Sequence, residues 1–169
     1  MSEFKFPTEE IELPSKGLVY PKDNPLSSGK VEIKYMTAKE EDILTNQSYI
    51  QKGTVLDKLL ESVIIDPKTN IDDIIVGDKN ALLIATRILG YGKKYEFRSN
   101  GQTHTADLTE IENKQFDISG IESGKNEFTY KIERTGDVIT YKILTGKDDK
   151  QIQKEIAGLK KLNKEGSFD

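Results

Sequence analysis

The stretch "ILGYGKKYEFRSNGQTHTADL", Ile88 to Leu108, decides how the chain is organised, because the period of its apolar residues changes inside it. Upstream, "KNALLIATRILG" is apolar over most of a helical circumference, which predicts a buried helix capped at its start by Asp78. Downstream, Tyr95 and Phe97 alternate with charges, Asn100-Gly101 is a strong two-residue hairpin signal, and "QTHTADL" returns as the partner strand. The join, "GYGKKY", matches the first two glycines of a G-x-G-x-x-G phosphate loop but not the third. Its context is reversed: a dinucleotide loop follows a strand and opens a helix, whereas this one closes a helix and opens a strand. A helix C-terminus also carries partial negative charge, which repels phosphate. Gly90 or Gly92 therefore reads as a left-handed C-cap, with Tyr91 packed on the last turn and Lys93 and Lys94 complementing the dipole.

Moving towards the N-terminus, "TAKEEDIL" carries a capping box, Thr37 with Glu40, that predicts a helix from Ala38. Thr54 is expected to cap the next helix, in which Leu56, Leu59, Leu60, Val63 and Ile64 fall on one face and mark the core. Asp66 and Pro67 end it, and a short helical turn is expected over "NIDDIIV". A strand, "KVEIKYM", precedes these helices with Val31, Ile33 and Tyr35 on one face. Residues 1–30 hold four of the five prolines and show neither helical nor strand periodicity, so they read as an extended arm with few local partners. Its apolar points, Leu13, Leu18, Val19 and Tyr20, are spaced to lie across a surface.

Moving towards the C-terminus, a second hairpin is expected, with Phe128, Tyr130 and Ile132 running out to "RTGD" and Ile139, Tyr141 and Ile143 running back. Asp148 or Asp149 then caps a last helix with a narrow stripe of Ile152, Ile156 and Leu159, weakened by Gly158. The fold class is α+β: an N-terminal arm (1–30), a mainly helical lobe (31–93), an antiparallel β lobe (94–146) and a C-terminal helix (147–169).

The composition narrows the function. The 169 residues carry 25 Lys and Arg against 29 Asp and Glu, a formal net charge of −4 with the signs interleaved, which argues against a dedicated nucleic-acid surface. No cysteine is present, which removes disulfides, thiolate metal sites and thiol catalysis. No export signal or membrane span is expected, since no run of roughly 18 apolar residues occurs. His104, the one histidine, lies on a predicted hairpin strand without the partners a triad or metal site requires. Asp72, Asp73 and Asp78 miss the calcium-loop spacing, and Asn46-Gln47-Ser48 matches a glycosylation acceptor that has meaning only in a secreted chain. Convergent carboxylates for glycosidic chemistry remain a generic alternative among 29 acids. On these grounds we expect no catalytic, cofactor or metal residues and no small-molecule substrate; the pattern favours binding, with the C-terminal stripe as a docking face.

Four strings taken together, "LPSKGLVYP", "VEIKYMTAKEEDIL", "GTVLDKLLESVI" and "DDIIVGDKNALLIATRILGYGKKYEF", resemble the baseplate hub and hub-assembly proteins of T-even-type contractile-tailed bacteriophages. The resemblance runs from about Leu13 to about Phe97, more loosely through "DLTEIENKQFD" and the last helix, and contains no catalytic motif. It implies a non-enzymatic structural or assembly role in the tail baseplate, with other hub proteins as partners, in the host cytoplasm during assembly and in the virion tail if retained. A transient chaperone and a tail-associated cell-wall hydrolase are the alternatives. Leu13, Pro14, Gly17 and Tyr20 in the arm, and Asp78, Arg87, Gly90, Tyr91 and Gly92 at the joint, are the positions it marks as interaction or fold determinants. Members of that family often hold a cysteine pair in the hairpin after the joint, where this chain has "SNGQ"; an Asn-Gly turn would there replace a metal clip.

Overall fold

A computed structural model describes residues 7–112 and 121–165. It is an α+β protein in which helices and three two-stranded antiparallel sheets alternate along the chain. Strand β1 (Thr8–Glu12) pairs with β2 (Lys30–Lys34), Ile11 opposite Val31 and Glu9 opposite Ile33. Helices α1 (Ala38–Thr45), α2 (Gln47–Gln51) and α3 (Val55–Val63) follow, and a 3-10 turn (Ile71–Asp73) leads into α4 (Val76–Tyr91). The first hairpin is β3 (Lys94–Ser99) with β4 (Gln102–Asp107); the second is β5 (Phe128–Lys131) with β6 (Val138–Tyr141). Helix α5 (Gly146–Glu165) closes the described chain.

The local chemistry explains most boundaries. At α1 the expected capping box of Thr37 and Glu40 forms: the Glu40 carboxylate reaches back to the Thr37 backbone N–H at 2.9 Å and also accepts the Thr37 hydroxyl. At the first hairpin, Asn100 (φ 52°) and Gly101 (φ 77°) both take the left-handed conformation that a two-residue turn matched to strand twist requires. His104 lies opposite Phe97 in that ladder, their rings 5.5 Å apart, as a cross-strand pair.

Two helix starts differ from the expectation. Helix α4 begins three residues earlier, with Ile75 at the cap, so Asp78 stands at the third helical position. Asp148 likewise lies inside the first turn of α5: its carboxylate accepts the Thr145 N–H at 3.0 Å while its own N–H donates to the Thr145 hydroxyl. Thr145 does the capping, and the reciprocal pair is again a capping box.

The core contradicts the picture of residues 1–30 as an arm with few local partners. Leu13, Val19, Tyr20 and Leu26 are all buried, and they join Val31 and Ile33 of β2, Leu59, Leu60 and Val63 of α3, Ile71, Ile74 and Ile75, and Leu82 of α4. Beyond β1, the segment folds back on itself: the Leu13 N–H donates to the Gly29 carbonyl at 2.8 Å, and the Leu18, Tyr20 and Asn24 amides each close a local turn. The segment is an Ω-like loop whose own side chains plug the core. Prolines abolished its periodicity without keeping it out of the interior, because turns can satisfy the backbone where neither helix nor ladder does.

The helical stripe also needs correction at its edges. Leu59, Leu60 and Val63 point inwards as expected, but Leu56 is 45% exposed. Helix α4 is less enclosed than its apolar composition suggests, with Leu82 and Thr86 buried along its middle and most other positions half-buried.

Candidate functional site

The joint at Ile88–Phe97 resolves as a structural corner. Gly92 caps α4 through its N–H to the Ile88 carbonyl, with φ 80° and ψ 170°, so its φ is positive but the backbone is extended rather than left-handed helical. Arg87 donates to the Gly92 carbonyl at 3.1 Å and lies over the Tyr91 ring at 4.9 Å and the Tyr95 ring at 5.8 Å. A Cβ at Gly90 would lie 2.7 Å from the Met36 sulfur, so that flexible thioether would have to shift to admit one. Lys93 pairs with Asp107 at 2.7 Å, bracing the hairpin instead of facing the helix dipole.

The most concentrated polar chemistry lies where the Ω-like loop meets α4. Asp78 is completely buried at the positive end of the helix and accepts from the Ser15 N–H at 3.0 Å, the Ser15 hydroxyl at 2.6 Å and the Tyr20 hydroxyl at 2.6 Å. The Tyr20 oxygen in turn accepts the Ile75 N–H at 3.1 Å. Burial first, and the bond to Asp78 second, push the Tyr20 phenol well above its ordinary value, so it stays a neutral donor. Gly17, two residues after Ser15, has φ 76°, and a methyl group there would strike the Ser27 carbonyl. An apolar hollow of about 210 Å³ opens beside this cluster between Pro14, Leu18, Val19, Ile75 and Ile143.

Chemically this is a tether. Ser15 is 7% exposed, and its N–H and hydroxyl, like the Tyr20 hydroxyl, are spent on the Asp78 carboxylate. The four arm residues expected to meet partners divide accordingly: Leu13, Gly17 and Tyr20 are spent on the chain's own interior, and half-buried Pro14 reaches the surface at the rim of the hollow.

A second cluster seats the start of α5. Lys150 contacts Asp57 at 3.2 Å and also pairs with Asp72, while Lys79 of α4 pairs with Asp57. Burial opposes ionisation of Asp57, but the two lysines outweigh it and lower its pKa. Lys142, bonded to Asp148 at 2.6 Å, and the Thr145 bonds hold that carboxyl at about 2. Backbone bonds complete the seat: Val76 N–H to the Leu144 carbonyl and Gly146 N–H to the Ile74 carbonyl, both at 3.0 Å.

From this seat the helix leads away from cover: every residue from Gln151 to Lys160 is exposed, including Ile152 (37%), Ile156 (39%) and Leu159 (60%). The second hairpin is similarly open. Phe128 rests against the core and stacks on Tyr141 at 5.5 Å, and beyond it Tyr130 and Ile139, a cross-strand pair, continue the same face into solvent. The two sets of expected partner residues, arm and stripe, are not brought together. Sequence reading missed the hairpin face as a surface, although the alternation that predicted its strands also marked one side as apolar.

Among the described residues no group of acids and histidines could hold a metal ion, and no helix is long and apolar enough to cross a membrane. Comparison with models of known protein families, with curated proteins and with solved structures finds no match to the chain.

Proposed function

We propose that this chain is a non-enzymatic structural or assembly component of a contractile phage tail baseplate hub, working through contacts with other hub proteins. The motivation is the sequence resemblance over Leu13–Phe97; the observation that carries a binding role is the open apolar face of the second hairpin. Tyr130, Ile139 and Tyr141, which share one face of the ladder, are each between 47% and 59% exposed, a concentration of large apolar side chains on two short strands. Isolated two-stranded hairpins are marginal in water, and contiguous exposed apolar surface commonly marks a protein contact. In this reading the Ω-like loop and the helices form a rigid base, and the hairpin meets a neighbouring subunit in the host cytoplasm as the baseplate assembles.

The test is quantitative mass spectrometry of purified virions beside stalled baseplate intermediates from a phage that encodes the chain. A fixed copy number in mature particles is the expected result for a hub subunit that is retained. Presence in intermediates only would make it an assembly chaperone, and absence from both would overturn the proposal.

A further inference from the structure

We infer that α5 pairs with α5 of a second copy of this chain, side by side and parallel, as a short two-stranded coiled coil. The ten residues Gln151–Lys160 are exposed on all sides of the helix, and the run contains Gly158. A free helix of that length is marginal in water, and most helical stability in proteins comes from packing an apolar face. Ile152, Ile156 and Leu159 repeat at intervals of four and three, the seam spacing of a coiled coil, and setting Ile156 at a places Ile152 and Leu159 at d. Ile156 at a with Leu159 at d is the combination that favours two strands, which Ile152 at the other d position does not share.

The charges select the occupant. In that register Glu155 falls at g and Lys160 at the following e, five residues on, which are the positions that face one another across a parallel pair. Two identical helices then make the Glu155–Lys160 pair twice, related by the two-fold axis. Within its own helix Glu155 accepts from Gln151 at 2.8 Å, an exposed bond that leaves it room for a second partner. The seat is compatible: Lys150, which holds the helix to Asp57 and Asp72, lies roughly 120–180° around the helix from the three seam residues at 3.6 residues per turn. The folded body therefore grips the back of the helix and leaves the seam open.

The experiment is sedimentation equilibrium on the full chain, with folding of each variant checked by its melting curve. Reversible dimers are expected. Ile156→Asp, a change at an exposed position, is expected to leave the melting curve intact and abolish dimerisation. Glu155→Lys and Lys160→Glu should each weaken self-association by about 2–10-fold, in keeping with exposed ion pairs, and an equimolar mixture of the two should recover it as a heterodimer. A chain that stays monomeric up to about 1 mM, the weak end of the affinity scale, overturns the inference. So does a dimer indifferent to Ile156→Asp, or one in which mixing the charge variants restores nothing. These readouts use the isolated chain, so they can fail while the baseplate reading stands, and the reverse.

Discussion

Glu40 and Asp78 are both completely buried, and both stand at the third position of a helix. A buried carboxylate survives only where hydrogen bonds replace its water, and each has recruited them from distant elements. Glu40 accepts from Lys34 at 2.8 Å, from the Ser62 hydroxyl and from Thr37, so β2, α1 and α3 converge on one side chain. Burial alone would raise its pKa; the bonds from Lys34, Ser62 and Thr37 outweigh burial and hold it at about 2, below the ordinary 4.5. Because the folded value lies below the unfolded one, the stabilisation is complete above about pH 4.5 and is lost as pH falls towards 2. Urea unfolding midpoints of the native chain should therefore fall more steeply over that interval than those of Glu40→Gln. Parallel slopes would show that Glu40 is not charged in the folded state. The T-x-x-E spacing revealed that Glu40 caps a helix, but its bond to Ser62, 22 positions away, left no mark in the sequence.

At the scale of elements, α3 shows how a correct helix can be misjudged at one end. The stripe of Leu56, Leu59, Leu60 and Val63 is real, yet the core covers the last three, while Asp57 is buried in the first turn. Ion pairs to Lys79 and Lys150 draw Asp57 inwards and leave Leu56 at the margin. Periodicity finds the apolar face of a helix; where that face stops being covered depends on what packs beside it. Leu60→Ala should cost about 2–5 kcal/mol through lost burial and a residual cavity, whereas Leu56→Ala should change stability by less than about 0.5 kcal/mol. Chemical denaturation of the two variants checks this, and equal losses would mean that Leu56 is covered in solution.

Taken as a whole, the molecule has its Ω-like loop bound firmly to the interior and α5 projecting from one seat. In dilute solution, limited trypsin digestion should cut after Lys154 or Lys160 before Lys16 or Lys22, because local opening is cheapest where few apolar contacts must break. First fragments ending at Lys16 or Lys22 would restore the loose arm that the prolines suggested. The amino-acid sequence by itself determined the α+β class, the order of the longer helices and of the last two hairpins, the Asn-Gly turn and the corner at Gly92, but not strand β1 or the break between α1 and α2. Each of those rests on residues within one or two turns of each other, through period, capping and positive-φ positions. Only the tertiary structure decided that Leu13, Val19, Tyr20 and Leu26 belong to the core, that Asp78 binds Ser15 and Tyr20 across 63 and 58 positions, and which apolar faces stay open. The reason is physical: a contact between distant segments depends on shape and hydrogen-bond satisfaction once the elements are assembled, and neither quantity repeats along the chain.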